Sequence, residues 1–394
     1  MPLFRMLFFC SVLALLGSAG ARAAGEPVTV PVLISLTGPF ALVGNAQKLA
    51  LETLAKTVTE SGGINGRPLQ FEFLDDATNT ANTIQLANQL IARKAPVVIG
   101  PSFVATCRAV TPLFAASGPV NYCMSSSGPT PKDGYSFTAG YSTVAANRVA
   151  LSYFRQRGFR KIALLFPTDA TGQDGENTLN EALALPENRE MQVVAREHFN
   201  ISDISVAAQI AHIQAAKPDL VDAWTTGASL GTVLRGLQTV GYDVPVLTSY
   251  GNLLYSTMGQ FGDLAPKAGL YFAGPQFIGR EFLPKGPALA GVDTFLKAFA
   301  AIDRKPDAVL STEWDAGLVV VDALRHVGPN PTADDVRKYI ETIHGLSGAA
   351  ATFDFRDGSQ RGISAATILM AKWDQNAKTF VPVSIPGGKP LANR

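Results

Sequence analysis

The stretch Gly227–Gly231 reads GASLG and fits G-x-S-x-G, the spacing that holds a serine hydroxyl on a strand-to-helix turn for attack on a carbonyl. Asp243 or Asp263, followed by His326 or His344, would preserve the order serine, acid, histidine, so a secreted serine hydrolase is one reading. Against it, no HGGG-like segment precedes the motif to supply an oxyanion hole. The plainer reading makes Ser229 a helix N-cap with glycines forming the turn. His198, His212, His326 and His344 lie in separate segments, and HExxH, CxxC and phosphate-loop patterns are absent. No enzyme activity, metal or cofactor is expected.

A second set of residues suits binding without chemistry. Ser35–Phe40 (SLTGPF), Gly100–Ala105 (GPSFVA) and Met124–Pro129 (MSSSGP) are rich in hydroxyls, glycine and aromatic rings but poor in charge. Pro167–Gly172 (PTDATG), Trp224–Ser229 (WTTGAS) and Thr248–Asn252 (TSYGN) repeat that composition. Such loops suit a small ligand held by hydrogen bonds and ring contacts.

The elements needed to bring these loops together are legible as hydrophobic periods. Strands are expected at VTVPVLISL, LQFEFLDD, APVVIGPS and GPVNYCMSS, separated by amphipathic runs such as TANTIQLANQLIARK and VATCRAVTPLFAAS. A second round follows through KIALLFPTD, MQVVAREHF, PDLVDAWTT and VPVLTSYGN, again with helical runs between. Alternating strands and helices build parallel sheets covered on both faces, and two rounds make two α/β lobes. Ligands in such sheets sit beyond the carboxyl ends of the strands, which is where all six loops fall. Later segments read as helices at 288–302, 311–327 and 333–346, then a strand pair at 351–363 and 365–374.

Residues 1–23 carry Arg5, an apolar run and Ala21–Ala23, the pattern of a signal peptide cleaved after Ala23. Losing Arg5 and Arg22 from 33 basic residues leaves 31 against 32 acidic, a net charge of −1. No basic block appears, which argues against nucleic acid. Beyond residue 23 no run approaches the roughly 18 apolar residues that span a bilayer. Only Cys107 and Cys123 would remain after cleavage, and in an oxidising compartment they form either one disulfide or two buried thiols. Their places near one end of the same sheet favour the bridge.

SLTGPFALVGN, GGINGRPLQFEFLDD, VVIGPS and ATFDFRDGSQRG occur in this order along the chain. With them the sequence resembles the solute-binding proteins of branched-chain amino acid ABC transporters, the leucine/isoleucine/valine-binding type. The Gly-Gly-Ile-Asn-Gly corner at 62–66, between helix and strand, is the most specific piece. The resemblance implies a type I periplasmic binding fold: two doubly wound parallel-sheet lobes joined by three crossovers, near Gly140, Ala273 and Ala351. Lobe one would comprise 24–140 and 274–350, and lobe two 141–273 and 351–394. It implies a periplasmic monomer that delivers a ligand to permease subunits; a sensor signalling to a receptor shares the fold.

The resemblance also assigns a site. Ser125 and Ser127 match positions that hold a ligand carboxylate, with Ser126 between them, and Ser102, Phe103 and Val104 add the loop after VVIG. On lobe two, Thr171 stands where a tyrosine commonly closes over the ligand, and Thr226, beside Trp224, aligns with another loop contact. Tyr250 departs from the pattern, because amino-acid binders often place a glutamate there against the ligand ammonium. A phenol supplies no charge at neutral pH. The expected ligand is therefore a small carboxylate without an α-amino group, aromatic or a keto acid, walled by Phe103, Trp224 and Tyr250. The alternatives are an aliphatic amino acid or amide whose cation meets another residue, with Asp169 the nearest acid in sequence.

Overall fold

The computed structural model describes residues 25–392 apart from Ser127 and Pro129. The expected signal segment thus lies outside the described residues. Within them no helix is long and apolar enough to cross a membrane.

The first half-dozen elements follow the hydrophobic periods: β1 (Val28–Ile34), α1 (Ala41–Glu60), β2 (Leu69–Asp75), α2 (Thr80–Ala92), β3 (Val97–Ile99) and α3 (Val104–Phe114). β4 (Val120–Cys123) and β5 (Ser136–Thr138) complete a parallel sheet of order β2-β1-β3-β4-β5. The Gly-Gly-Ile-Asn-Gly corner closes α1, where the Gly63 N–H bonds the Val58 carbonyl at 2.8 Å. Gly63 has φ +69°, and a β-carbon there would stand 2.0 Å from the Arg67 carbonyl oxygen, so only glycine fits.

The second round comprises α4 (Thr143–Gln156), β6 (Lys161–Pro167), α5 (Ala170–Leu183), β7 (Gln192–Phe199), α6 (Ala207–Ala215), β8 (Leu220–Ala223), α7 (Ala228–Val240), β9 (Val246–Thr248), α8 (Tyr255–Phe261) and β10 (Leu270–Gly274). The chain then supplies α9 (Pro287–Ala300), α10 (Ala308–His326), α11 (Ala333–Ile340), β11 (His344–Ser347), β12 (Thr352–Asp354), β13 (Leu369–Asp374) and β14 (Thr379–Pro382). The second sheet runs β14-β13-β10-β9-β8-β6-β7, parallel except where β13 meets β10 and β14.

Each sheet has its own core. Val32, Ile99 and Tyr122 of the first pack with Leu54 of α1, Phe295 of α9, and Trp314 and Val320 of α10. The second sheet buries Val221, Val246 and Phe272 on one face and Leu164, Leu247 and Met370 on the other. The chain passes between the two bodies after β5, after β10 and after β12. Buried Asp315 of α10 pins the turn between β11 and β12, just before the last passage, accepting the N–H groups of Ala349, Ala350 and Ala351 at 2.6, 2.8 and 3.2 Å.

The late segments differ from the periods in two places. The helix expected over 333–346 stops at Ile340, and β11 pairs with β12 instead, a tertiary ladder overriding local spacing. The expected strand pair of 351–363 with 365–374 does not form. Phe353 of β12 belongs to the first core and Leu369 of β13 to the second, so the chain crosses between the bodies just where a hairpin was expected.

Candidate functional site

The strand ends of both sheets open onto one cavity of about 440 Å³ between the lobes. Ser102, Phe103, Val104, Ser125 and Ser126 line it from the first body; Thr171, Trp224, Thr226 and Tyr250 line it from the second. Nine sequence-derived site residues thus share one cavity, and the tenth, Ser127, lies outside the described residues. Hollows of about 450 and 460 Å³ open elsewhere, but neither gathers these loops.

The lobe-one wall is rich in hydroxyls and braced from below. Two paired carboxylates brace the loop after β1. Asp75 accepts from the N–H groups of Leu36 and Thr37 and from the Thr37 hydroxyl, and Asp76 accepts the Ser35 hydroxyl at 2.7 Å. Burial pushes Asp75 upward, yet its hydrogen bonds from Thr37, Ala77 and Leu36 outweigh this and hold it below the usual carboxylate range. Ser35 in turn donates its N–H to the Ser102 oxygen at 3.1 Å, which leaves the Ser102 proton for a ligand acceptor. Next to it Phe103, which lines the cavity, is the N-cap of α3 and gives its first-turn N–H groups no side-chain acceptor.

A disulfide between Cys107 and Cys123 ties α3 to the end of β4, with Cα atoms 5.9 Å apart. The Ser125 N–H lies 3.3 Å from the Cys123 sulfur, so the bridge braces the serine loop directly. Arg361 holds the same loop from behind, donating to the carbonyls of Ser126 at 2.5 Å and Gly128 at 3.2 Å. Arg361 belongs to the RDGSQRG segment, but nothing in its local spacing reveals that contact.

The lobe-two wall is mostly rings. Trp224 is buried against α5, where a β-carbon on Gly175 would stand 2.8 Å from the indole, so this glycine admits the ring. Tyr250 tilts against Tyr141 with centroids 4.8 Å apart, while on the lobe-one side Phe103 meets Phe40 at 5.2 Å. Burial raises the Tyr250 phenol far above its usual range, so it stays neutral. The Thr171 hydroxyl donates to Asp169 at 2.8 Å, and Asp169 also caps α5 through the Gly172 N–H at 2.9 Å. Asp169 is therefore a helix cap and does not line the cavity.

Two polar residues at the cavity floor escaped the sequence reading. Gln47 of α1 and Glu313 of α10, 1% and 3% exposed, both line the cavity and meet through Gln47 Nε2 and Glu313 Oε1 at 3.2 Å. Burial pushes Glu313 well above the carboxylate range, only partly offset by Gln47 and the nearby Thr312 hydroxyl, while Asp315 adds to the rise. The one available signal was a carboxylate inside the apolar run of α10.

The GASLG serine has no triad around it. Gly227, φ +63°, occupies the N-cap of α7, and Ser229 donates to the Thr226 carbonyl at 3.0 Å from inside the first turn. Asp263 pairs with Lys378, Asp243 accepts the Ala268 N–H, and His326 stacks on Tyr339. Among the described residues no group of His, Cys, Asp and Glu could hold a metal ion.

Comparison with known proteins agrees with this architecture. Residues 27–378 match the family model described as periplasmic binding protein. The Leu/Ile/Val-binding protein homolog 3 of Brucella melitensis is 21% identical over 360 residues, covering 90% of this chain and 93% of that protein. A crystal structure of an extracellular ligand-binding receptor from Rhodopseudomonas palustris HaA2 superposes with a TM-score of 0.75 at 18% identity, covering 91% of this chain and all of that one. The branched-chain amino acid transporter substrate binding protein of Streptococcus pneumoniae, solved with isoleucine, gives a TM-score of 0.69 at 15% identity, covering 93% and 98%. With two parallel-sheet lobes around one cleft and a family match over nearly the whole described chain, this protein belongs to the periplasmic binding protein family, whose members bind solutes without catalysis.

Proposed function

We propose that the protein is the solute-binding component of an ABC importer, and that it binds a small carboxylate without an α-amino group. The observation that carries this reading is the cavity itself. A hydroxyl-rich wall carrying Phe103 and an uncapped helix N-terminus faces the rings of Trp224 and Tyr250, and the position where the family resemblance expects an ammonium partner is the neutral phenol of Tyr250. The carboxylate meets Ser102, Ser125, Ser126 and Ser127, with Arg361 adding positive potential behind the serine loop. Phe103, Trp224 and Tyr250 enclose the body of the ligand, and Val104, Thr171 and Thr226 complete the walls.

Binding works by population shift, because a ligand touching both lobes gains its full contacts only when they close. The closed monomer then docks on permease subunits in the periplasm, after removal of residues 1–23. A second reading, an aliphatic amino acid or amide, draws support from the named relatives and from the Glu313 carboxyl at the cavity floor.

Trp224 provides the test. Titration with benzoate or with the keto acid of leucine should give a saturable change in tryptophan fluorescence, which Trp224→Phe removes. No saturable signal with any carboxylate, or an unchanged signal in the variant, would place the ligand elsewhere.

A further inference from the structure

The acid at the cleft floor has no structural task that explains it. Glu313 accepts one hydrogen bond, from Gln47 on Oε1, and Gln47 Nε2 gives its other N–H to the Met124 carbonyl at 3.3 Å. Glu313 Oε2 is buried with no hydrogen-bond partner among the described residues, and the same holds for Gln47 Oε1. Leaving such atoms unpaired destabilises a protein, and a shape-matched apolar residue would avoid the cost. Asp315, two residues on, is buried too, but three backbone N–H groups satisfy it. Glu313 differs in that it borders the cavity.

We propose that Glu313 contacts the ligand through Oε2 and selects an uncharged hydroxyl or keto oxygen over an ammonium. The proposal rests on the carboxylate-binding reading above and adds a second polar subsite to it. With Oε1 taken by the Gln47 N–H, the acid proton belongs on Oε2, which is buried beside the cavity and would reach the ligand as a donor by a small turn of the side chain. Burial favours this protonated form, and among the described residues no cation pairs with the carboxyl. The groups around it are Asp315 and Thr312 on α10, Gln47 on α1, Tyr122 on β4, Tyr250 across the cleft, and Arg361 beyond the serine loop. A ligand hydroxyl could accept from Oε2 and donate to Gln47 Oε1, satisfying both free atoms, whereas an ammonium would require Glu313 to ionise.

Calorimetric titration of the mature protein with leucine, its hydroxy acid and its keto acid tests this, since the three differ in one group. The hydroxy or keto acid should bind more tightly than leucine. Glu313→Leu should weaken it about tenfold or more, and Glu313→Gln, which keeps a donor at this place, should recover part of the loss. Thermal melts of both variants confirm that they fold. If Glu313→Leu binds the keto and hydroxy acids as the parent does, the subsite is wrong while the carboxylate reading stands. Preferred binding of leucine with proton release, lost in both variants, would make Glu313 an ammonium partner and overturn the proposal. Binding of none of the three, nor of benzoate, contradicts both readings.

Discussion

The Arg361 guanidinium donates to the Ser126 carbonyl at 2.5 Å, joining residues 235 positions apart in sequence. It carries the segment that follows the last passage between lobes onto the back of the serine loop. One side chain therefore links the hinge region to the wall proposed to hold the carboxylate.

Arg361→Met should weaken carboxylate binding by about tenfold or more, since it removes nearby positive charge and frees the loop carbonyls it organises. Calorimetry at low and high salt checks this. The loss should shrink as salt rises, because part of it is electrostatic.

Ser102→Ala should cost about 1.5–3 kcal/mol of carboxylate affinity, the scale of a hydrogen bond to a charged group. The Ser35 N–H also loses its acceptor, so the melt must be measured alongside the titration. Unchanged affinity would show that the ligand sits away from the α3 wall.

Tyr250→Glu would place a carboxylate in the lobe-two wall. It should lower affinity for the keto acid of leucine and raise affinity for leucine itself, each about tenfold. Paired titrations of parent and variant read both changes at once.

Replacing Cys107 and Cys123 together with alanine should lower unfolding free energy by about 3 kcal/mol, given the 16-residue separation they close. Urea unfolding of oxidised parent and variant measures the difference.

Asp222 on β8 is buried with neither carboxyl oxygen partnered among the described residues, and burial pushes it up to about 8. A folded-state value above the unfolded one stabilises at low pH, and that contribution is lost as pH rises through the window from about 4 to about 8. Stability of the parent should therefore decline between pH 5 and pH 8, and Asp222→Asn should flatten that decline. Equal slopes in urea unfolding would mean that Asp222 is not the titrating group.

The sequence made the strand-end loops legible because a strand, a glycine turn and a helix start leave local marks. Ser102, Ser125, Thr171, Trp224 and Tyr250 follow from those marks together with the family resemblance. Gln47 and Arg361 left none, and Glu313 left only a carboxylate inside the apolar run of α10. Gln47 and Glu313 sit on amphipathic helices where one polar residue looks like a position on the wet face, and only the packing of α1 against α10 buries them. The late strands misled for a related reason, since β11 and β12 pair locally while β13 reaches back to β10. β5, α4, α8 and β14 were too weakly patterned, or too short, to mark themselves.

A thermal-shift screen of the mature protein tests the central claim most directly. The panel holds aromatic carboxylates, keto acids, small amides, and leucine, isoleucine and valine. A ligand at 100 times its dissociation constant adds about 2.7 kcal/mol of stability, enough to move the melt visibly. The melt should shift with carboxylates that lack an α-amino group and stay put with the amino acids. A shift with leucine, isoleucine or valine alone would contradict the claim.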